Sequence, residues 1–218
     1  TPAGRLTLFA CTNAIPPGEW AWQYVRRVEQ LVSGLEGPRT RQQLQSAASI
    51  IANQLYSGGK VLTSTCTHFL LYESFADNVT PWRPIEVVWN SVNVLPREVS
   101  KSDVFVWFGY IGMSTPYEDF GKNIRATGAR VISSYIPDTN ILNTATYYAV
   151  GHIEQAWRFG DGEIEAPFPP GRIGPVSGIN AGLLYRMLDE SVSEELAALH
   201  GLHMPSSEPV AEEDEHAR

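Results

Sequence analysis

Residues 102–135 limit what this chain can become more than any other stretch. In Ser102 to Gly109 (SDVFVWFG), Ser102 is the turn residue before a strand over Val104–Phe108, which alternates little and is wholly apolar, as a strand covered on both faces must be. Tyr110 to Pro116 (YIGMSTP) is a glycine-bearing loop. Tyr117 to Ala129 (YEDFGKNIRATGA) contains a helix over Glu118–Thr127 closed by Gly128, and Arg130 to Tyr135 (RVISSY) reads as a second strand. Strand, loop, helix and strand in that order make a parallel β-α-β unit. Open parallel sheets bind ligands outside the carboxyl ends of their strands, where backbone N–H groups at a helix start favour anions.

The rest of the chain extends this pattern. Trp20, Tyr24, Val28, Leu31 and Val32 form one stripe of a helix over Glu19–Leu35, ended by Gly34, Gly37 and Pro38. Thr40 is the expected N-cap of a second helix, with Leu44, Ala47, Ala48, Ile51, Ala52 and Leu55 on its apolar face. Gly58 and Gly59 stop it before a short strand, Lys60–Thr63. A hydroxyl-rich loop, residues 64–67, leads into a helix over 68–76, and residues 84–89 (PIEVVW) read as another strand. Beyond residue 135 the expectation is a strand over 144–150, a short strand or turn over 153–159, and an extended glycine- and proline-rich loop to Pro175. A helix over 176–188 and a shorter one over 193–199 close the fold, and disorder is expected from Pro205.

Two helices followed by alternating strands and helices predict an α/β fold, a three-layer α/β/α sandwich with a mostly parallel central sheet. The divisions expected are an N-terminal segment and helix (1–39), the α/β domain (40–190), and a C-terminal helix with an acidic tail (191–218). The net charge of −8 offers no basic face for nucleic acid. Part of it belongs to the tail, Glu212 to His216. No run of about 18 apolar residues predicts a membrane span. Only Cys11 and Cys66 are present, without a CxxC pair, which argues against a structural zinc site and fits a reducing cytoplasm. No cofactor or metal is expected.

Three blocks resemble the SIS (sugar isomerase) domain family. Gly58-Gly59-Lys60-Val61-Leu62 and the hydroxyl-rich loop after it resemble the family's GGKV strand and first phosphate loop. Ser102 to Val106, Gly112, Gly128 and Arg130 to Ile132 resemble its GDVLI strand, SxSG loop and following strand. Gly174-Pro175-Val176-Ser177 is similar to the closing segment of one SIS subgroup. The resemblance spans residues 40–190. It implies a flavodoxin-like sheet, binding of a sugar phosphate, an aldose–ketose isomerase activity, and assembly as a homodimer or homotetramer. The chain departs from the pattern where Gly109 and Ile111 stand in place of the family's two loop serines.

The candidate site residues follow. Ser64, Thr65 and Thr67 can hold a phosphate or a sugar oxygen, or cap the next helix. Gly112, Ser114 and Thr115 can replace the missing serines, although Thr115 before Pro116 also suits an N-cap. Tyr110 can line a pocket, and Ser177 is a cap or a ligand contact. Moving a proton between adjacent carbons needs a base, and His68, Glu73 and His152 are the candidates. In an extended segment His152 and Glu154 share one face, so the carboxylate can orient the imidazole.

Three functions are open on this reading. One is a sugar-phosphate-binding protein that isomerises its ligand. Another is a non-catalytic SIS module, either a metabolite sensor or a structural subunit. The last is an enzyme acting on a non-phosphorylated ligand, which the lost loop serines would suit.

Overall fold

The computed structural model describes residues 18–65, 85–86, 99–108, 124–136, 149–157, 161–166 and 171–202; of residues 64, 65, 85 and 86 only the backbone is described. Helices α1 (Glu19–Leu35) and α2 (Pro38–Tyr56) precede the strands β1 (Val61–Thr65), β2 (Ile85–Glu86), β3 (Val104–Phe108), β4 (Arg130–Tyr135) and β5 (Gly151–Glu154). A hairpin, β6 (Ile164–Glu165) and β7 (Arg172–Ile173), leads into α3 (Ser177–Leu199).

Strands β1 to β5 form one sheet in the order β2-β1-β3-β4-β5, every neighbour parallel. This is the flavodoxin-like order, with its switch point between β1 and β3. Val104, Val106, Phe108, Ile132 and Ile153 face α2 and α3, where Leu44, Ala48, Ile51, Leu184 and Leu188 complete the core. Phe105, Trp107 and Val131 point the other way and are buried too, as is Ile124. Both faces of the sheet are therefore covered, as a three-layer α/β fold requires. The expected helices over 68–76 and 118–127 lie outside the described residues, except that residues 124–126 are helical.

α2 starts at the carboxyl edge of the sheet, where Arg39 pairs with Glu154 at the end of β5. It ends where the Tyr56 ring meets His200, just past α3, with centroids 5.1 Å apart. The two helices thus run side by side in the same direction, and α3 also begins at the carboxyl edge.

Several expectations need correction. α2 begins at Pro38 with Gly37 as its N-cap, not at Thr40, because proline pre-sets the first helical φ and lacks only an N–H that would be unpaired there. Ser64 and Thr65 are the last residues of β1, not loop residues; they pair with Trp107 and Phe108, and the long parallel ladder outweighs the turn tendency of hydroxyl side chains. The short strand or turn expected from Ile153 is a strand that starts earlier, at Gly151, because the ladder with β4 already begins there, Gly151 pairing with Ile132. The extended loop contains the β6–β7 hairpin. The two closing helices are one, because Ser191 and Ser193 donate their hydroxyls back to the carbonyls of Met187 and Asp189 inside the helix.

Candidate functional site

Several buried polar side chains lie toward the carboxyl edge of the sheet. Residue for residue across the ladder, Ser64 lies beside Trp107, Trp107 beside Ser133, and Ser133 beside His152. These four positions share one face, the face turned away from α2. Ser133 is fully buried, yet its Oγ has no hydrogen-bond partner; the Nδ1 of His152 is buried and unpaired as well. The imidazole meets the Tyr135 ring edge-on at 5.9 Å and 85°. Burial pushes the His152 pKa below its usual 6.5, with the Glu154 charge opposing the shift. The ring is therefore neutral near neutral pH and able to accept a proton.

Glu154 does share a face with His152, as alternation along a strand demands, but its carboxylate is engaged by Arg39. The Glu154 N–H is also taken, donating to Gln43 Oε1 at 3.1 Å. The start of α2 is thus tied to the end of β5.

On the opposite face the next register row runs Thr65, Phe108, Ser134, Ile153. Ser134 is fully buried with its Oγ unpaired. Asn180, in the first turn of α3, is fully buried with both amide atoms unpaired. Ser177 does not cap α3. Asp161 does, accepting from Val176 N at 2.9 Å, Ser177 N at 2.8 Å and Ser177 Oγ at 2.5 Å. Asp161 holds φ at +49°, a left-handed conformation that its short polar side chain tolerates.

Of the residues singled out from sequence, the structure places Ser64 and Thr65 at the end of β1, His152 on β5 and Ser177 at the start of α3, all at the carboxyl edge. Thr67, His68, Glu73, Tyr110, Gly112, Ser114 and Thr115 lie outside the described residues. Sequence reasoning missed Ser133, Ser134, Asn180 and Asp161. The first two had a signal, since paired serines inside an otherwise apolar, doubly covered strand are out of place. Among the described residues, no group of three or more His, Cys, Asp or Glu could hold a metal ion, and no helix is long and apolar enough to cross a membrane.

No family model matches the sequence, and no curated protein matches it. Solved structures do. A proposed phosphosugar isomerase from Silicibacter pomeroyi DSS-3 superposes with a TM-score of 0.57 at 12% identity, covering 81% of this chain and 50% of that one. A proposed sugar-phosphate isomerase from Listeria monocytogenes gives a TM-score of 0.53 at 13% identity, covering 86% of this chain and 100% of that one. A hypothetical protein gives 0.54 at 12% identity, covering 84% and 91%. Identities this low speak for architecture alone, and the architecture agrees with the resemblance in the sequence: this chain has the SIS-like α/β fold of the proposed phosphosugar isomerases.

Proposed function

We propose that this chain binds a phosphorylated sugar at the carboxyl edge of its sheet. The observation that carries the reading is the β2-β1-β3-β4-β5 order, whose switch point opens between Thr65 and Phe108. Folds of this order take ligands in that crevice. The strand and loop hydroxyls of Ser64, Thr65 and Thr67 on one side, with Ser114 and Thr115 on the other, supply donors for phosphate. The likeness in fold to the proposed phosphosugar and sugar-phosphate isomerases of Silicibacter and Listeria supports the same ligand class. The test is a thermal-shift screen with sugar phosphates, free sugars and inorganic phosphate. A folded-state ligand at about 100 times its Kd adds about 2.7 kcal/mol. The expected result is a shift with one sugar phosphate that disappears when Ser64, Thr65 and Thr67 are changed together to alanine. No shift with any phosphate overturns the reading.

A second reading, isomerisation of the bound sugar, is favoured by His152. Its neutral imidazole lies at the edge where the ligand is proposed to sit, and a proton must move between adjacent carbons of an aldose during conversion to a ketose. Glu73 and His68 are the other proposed proton carriers. Exchange of substrate hydrogen with deuterated solvent, lost on His152→Gln with binding retained, is the expected signature. Absence of any exchange leaves a binding protein. We further propose a homodimer or homotetramer working in the cytoplasm; the exposed Trp22, Val25 and Val32 on α1 offer an apolar stripe for a second copy.

A further inference from the structure

The outer face of α1 carries an exposed stripe. Trp22, Val25, Glu29, Val32 and Glu36 recur at steps of three and four, and all five are exposed. Trp22 is 64% exposed. Single apolar residues on a surface need no explanation, but an open indole in line with two open valines marks a contact surface.

The stripe runs into a groove. At the elbow where α1 gives way to α2, against the middle of α3, Leu35, Leu44 and Met187 line a hollow of about 530 Å³. That volume is ample for an aromatic side chain and its neighbours. Glu36, Glu190, Glu194 and Glu195 also line it, and none of them forms an ion pair with a described residue. Arg41 is the only basic residue in this lining. The groove therefore asks for an apolar group accompanied by positive charge.

Trp22 cannot fill the groove of its own chain, because it lies about 20 Å along the helix axis from Leu35. A second copy can supply it. We propose that two copies of this chain pair α1 against α1 in opposite directions, so that Trp22 of each enters the groove of the other. With the twofold axis between the levels of Val28 and Glu29, Val25 meets Val32 of the second copy, and Trp22 meets its Leu35 at the mouth of the groove. One operation then covers the indole and both valines, and the contact closes on itself. The charges agree. Arg26, one turn on from Trp22, has a side chain 57% exposed and pairs with Glu19 at 3.1 Å. Such a surface pair is worth little, so the guanidinium is free to turn to the carboxylates around the groove. A foreign partner would have to bring an aromatic, basic surface; this chain already carries one. The cost falls on Glu29, since its two copies come close together at the axis. This deepens the assembly proposed above by naming its surface, its symmetry and its anchor.

The test is sedimentation of the full chain over a range of concentrations, with circular dichroism to check folding. Trp22→Ala is expected to weaken association about tenfold or more, as truncation of a central indole does. Gln45→Trp enlarges an exposed residue of the lining, blocks the groove and is expected to weaken association as well. Glu29→Gln removes the repulsion at the axis and is expected to tighten it, a gain that misfolding cannot imitate. A wild type that stays monomeric overturns both this contact and the assembly proposed above. A wild type that associates, with Trp22→Ala associating equally well, overturns this contact alone. Weakening by Trp22→Ala but not by Gln45→Trp overturns the groove as the seat of the indole, and unchanged association in Glu29→Gln overturns the twofold axis. Sugar-phosphate binding is measured by its own screen and stands apart from all these outcomes.

Discussion

Gly59 lies so close to Ser102 that a β-carbon on it would stand 1.9 Å from the Ser102 carbonyl oxygen. The neighbouring Gly58 is the reverse case, with φ at +83° and open space around it. Gly59→Ala must therefore push backbone against backbone at the entry to β1 and β3. We expect it to destabilise the fold by about 2–3 kcal/mol, the range of an overpacked core. Gly58→Ala meets only the left-handed penalty, about 1 kcal/mol. Urea unfolding of the two variants gives the order, and a Gly58→Ala that is the more damaging would contradict this picture of the junction.

Asp161 ties the hairpin side of the chain to the start of α3 through three hydrogen bonds. Asp161→Ala leaves the Val176 and Ser177 amides without that partner, and a loss of about 1–2 kcal/mol is expected. Hydrogen exchange should speed up in the first turn of α3 and leave the β3–β4 ladder unchanged. A loss spread evenly over the sheet would mean Asp161 does something other than capping.

His152 predicts a slope of stability with pH. Burial depresses its folded pKa below 6.5, so in the window just under 6.5 the unfolded chain holds more of the proton than the folded one. This contribution is whole above pH 6.5 and is lost as the pH falls from 6.5 through the folded pKa. His152→Gln should flatten that part of the curve relative to the wild type. Identical acid limbs in the two proteins would show that the imidazole titrates normally.

Tyr185 predicts a slope at the alkaline end. Burial, reinforced by Asp189, raises its hydroxyl from 10.0 to about 12. Above pH 10 the unfolded chain releases a proton that the folded chain keeps, so stability falls as the pH rises from 10 toward 12. Tyr185→Phe should remove this component, measured as the difference between wild-type and variant unfolding curves at alkaline pH.

Arg27 Nε donates to Glu163 Oε2 at 2.8 Å, joining α1 to the hairpin, while the Glu163 side chain is only 3% exposed. Arg27→Ala strands a nearly buried carboxylate, whereas a double change to Arg27→Ala and Glu163→Leu does not. The single variant is expected to lose about 3 kcal/mol and the double variant to recover most of it. A double-mutant cycle with no coupling would place the stabilisation of α1 elsewhere, for instance in the Tyr24 hydroxyl that donates to the Pro175 carbonyl at 2.6 Å.

The sheet was legible because its strands announce themselves. Val104 to Phe108 is buried on both faces, so its apolar run needed no alternation to be recognised, and its limits agree with the observed strand. The first helix was equally plain from the stripe through Tyr24, Val28 and Leu31. The edge of the site was harder. Ser64 and Thr65 look like turn residues, and only the partner strand 43 residues later makes them strand. Asp161 caps a helix that starts 16 residues further on, a relation without a local signature. Asn180 sits among helical apolar residues, where nothing local distinguishes a buried amide from an exposed one.

The order of the sheet also sets the order of events in making it. β1 must wait for β3, which begins 43 residues later, and the part of the apolar face of α2 that the sheet does not cover stays open until Leu184, Leu188 and Val192 of α3 arrive. A nascent or prematurely terminated chain lacking residues beyond about 176 would display that face as a sticky surface. Quality control should then treat such fragments as clients for chaperones or proteases, and folding should complete only after the closing helix has left the ribosome.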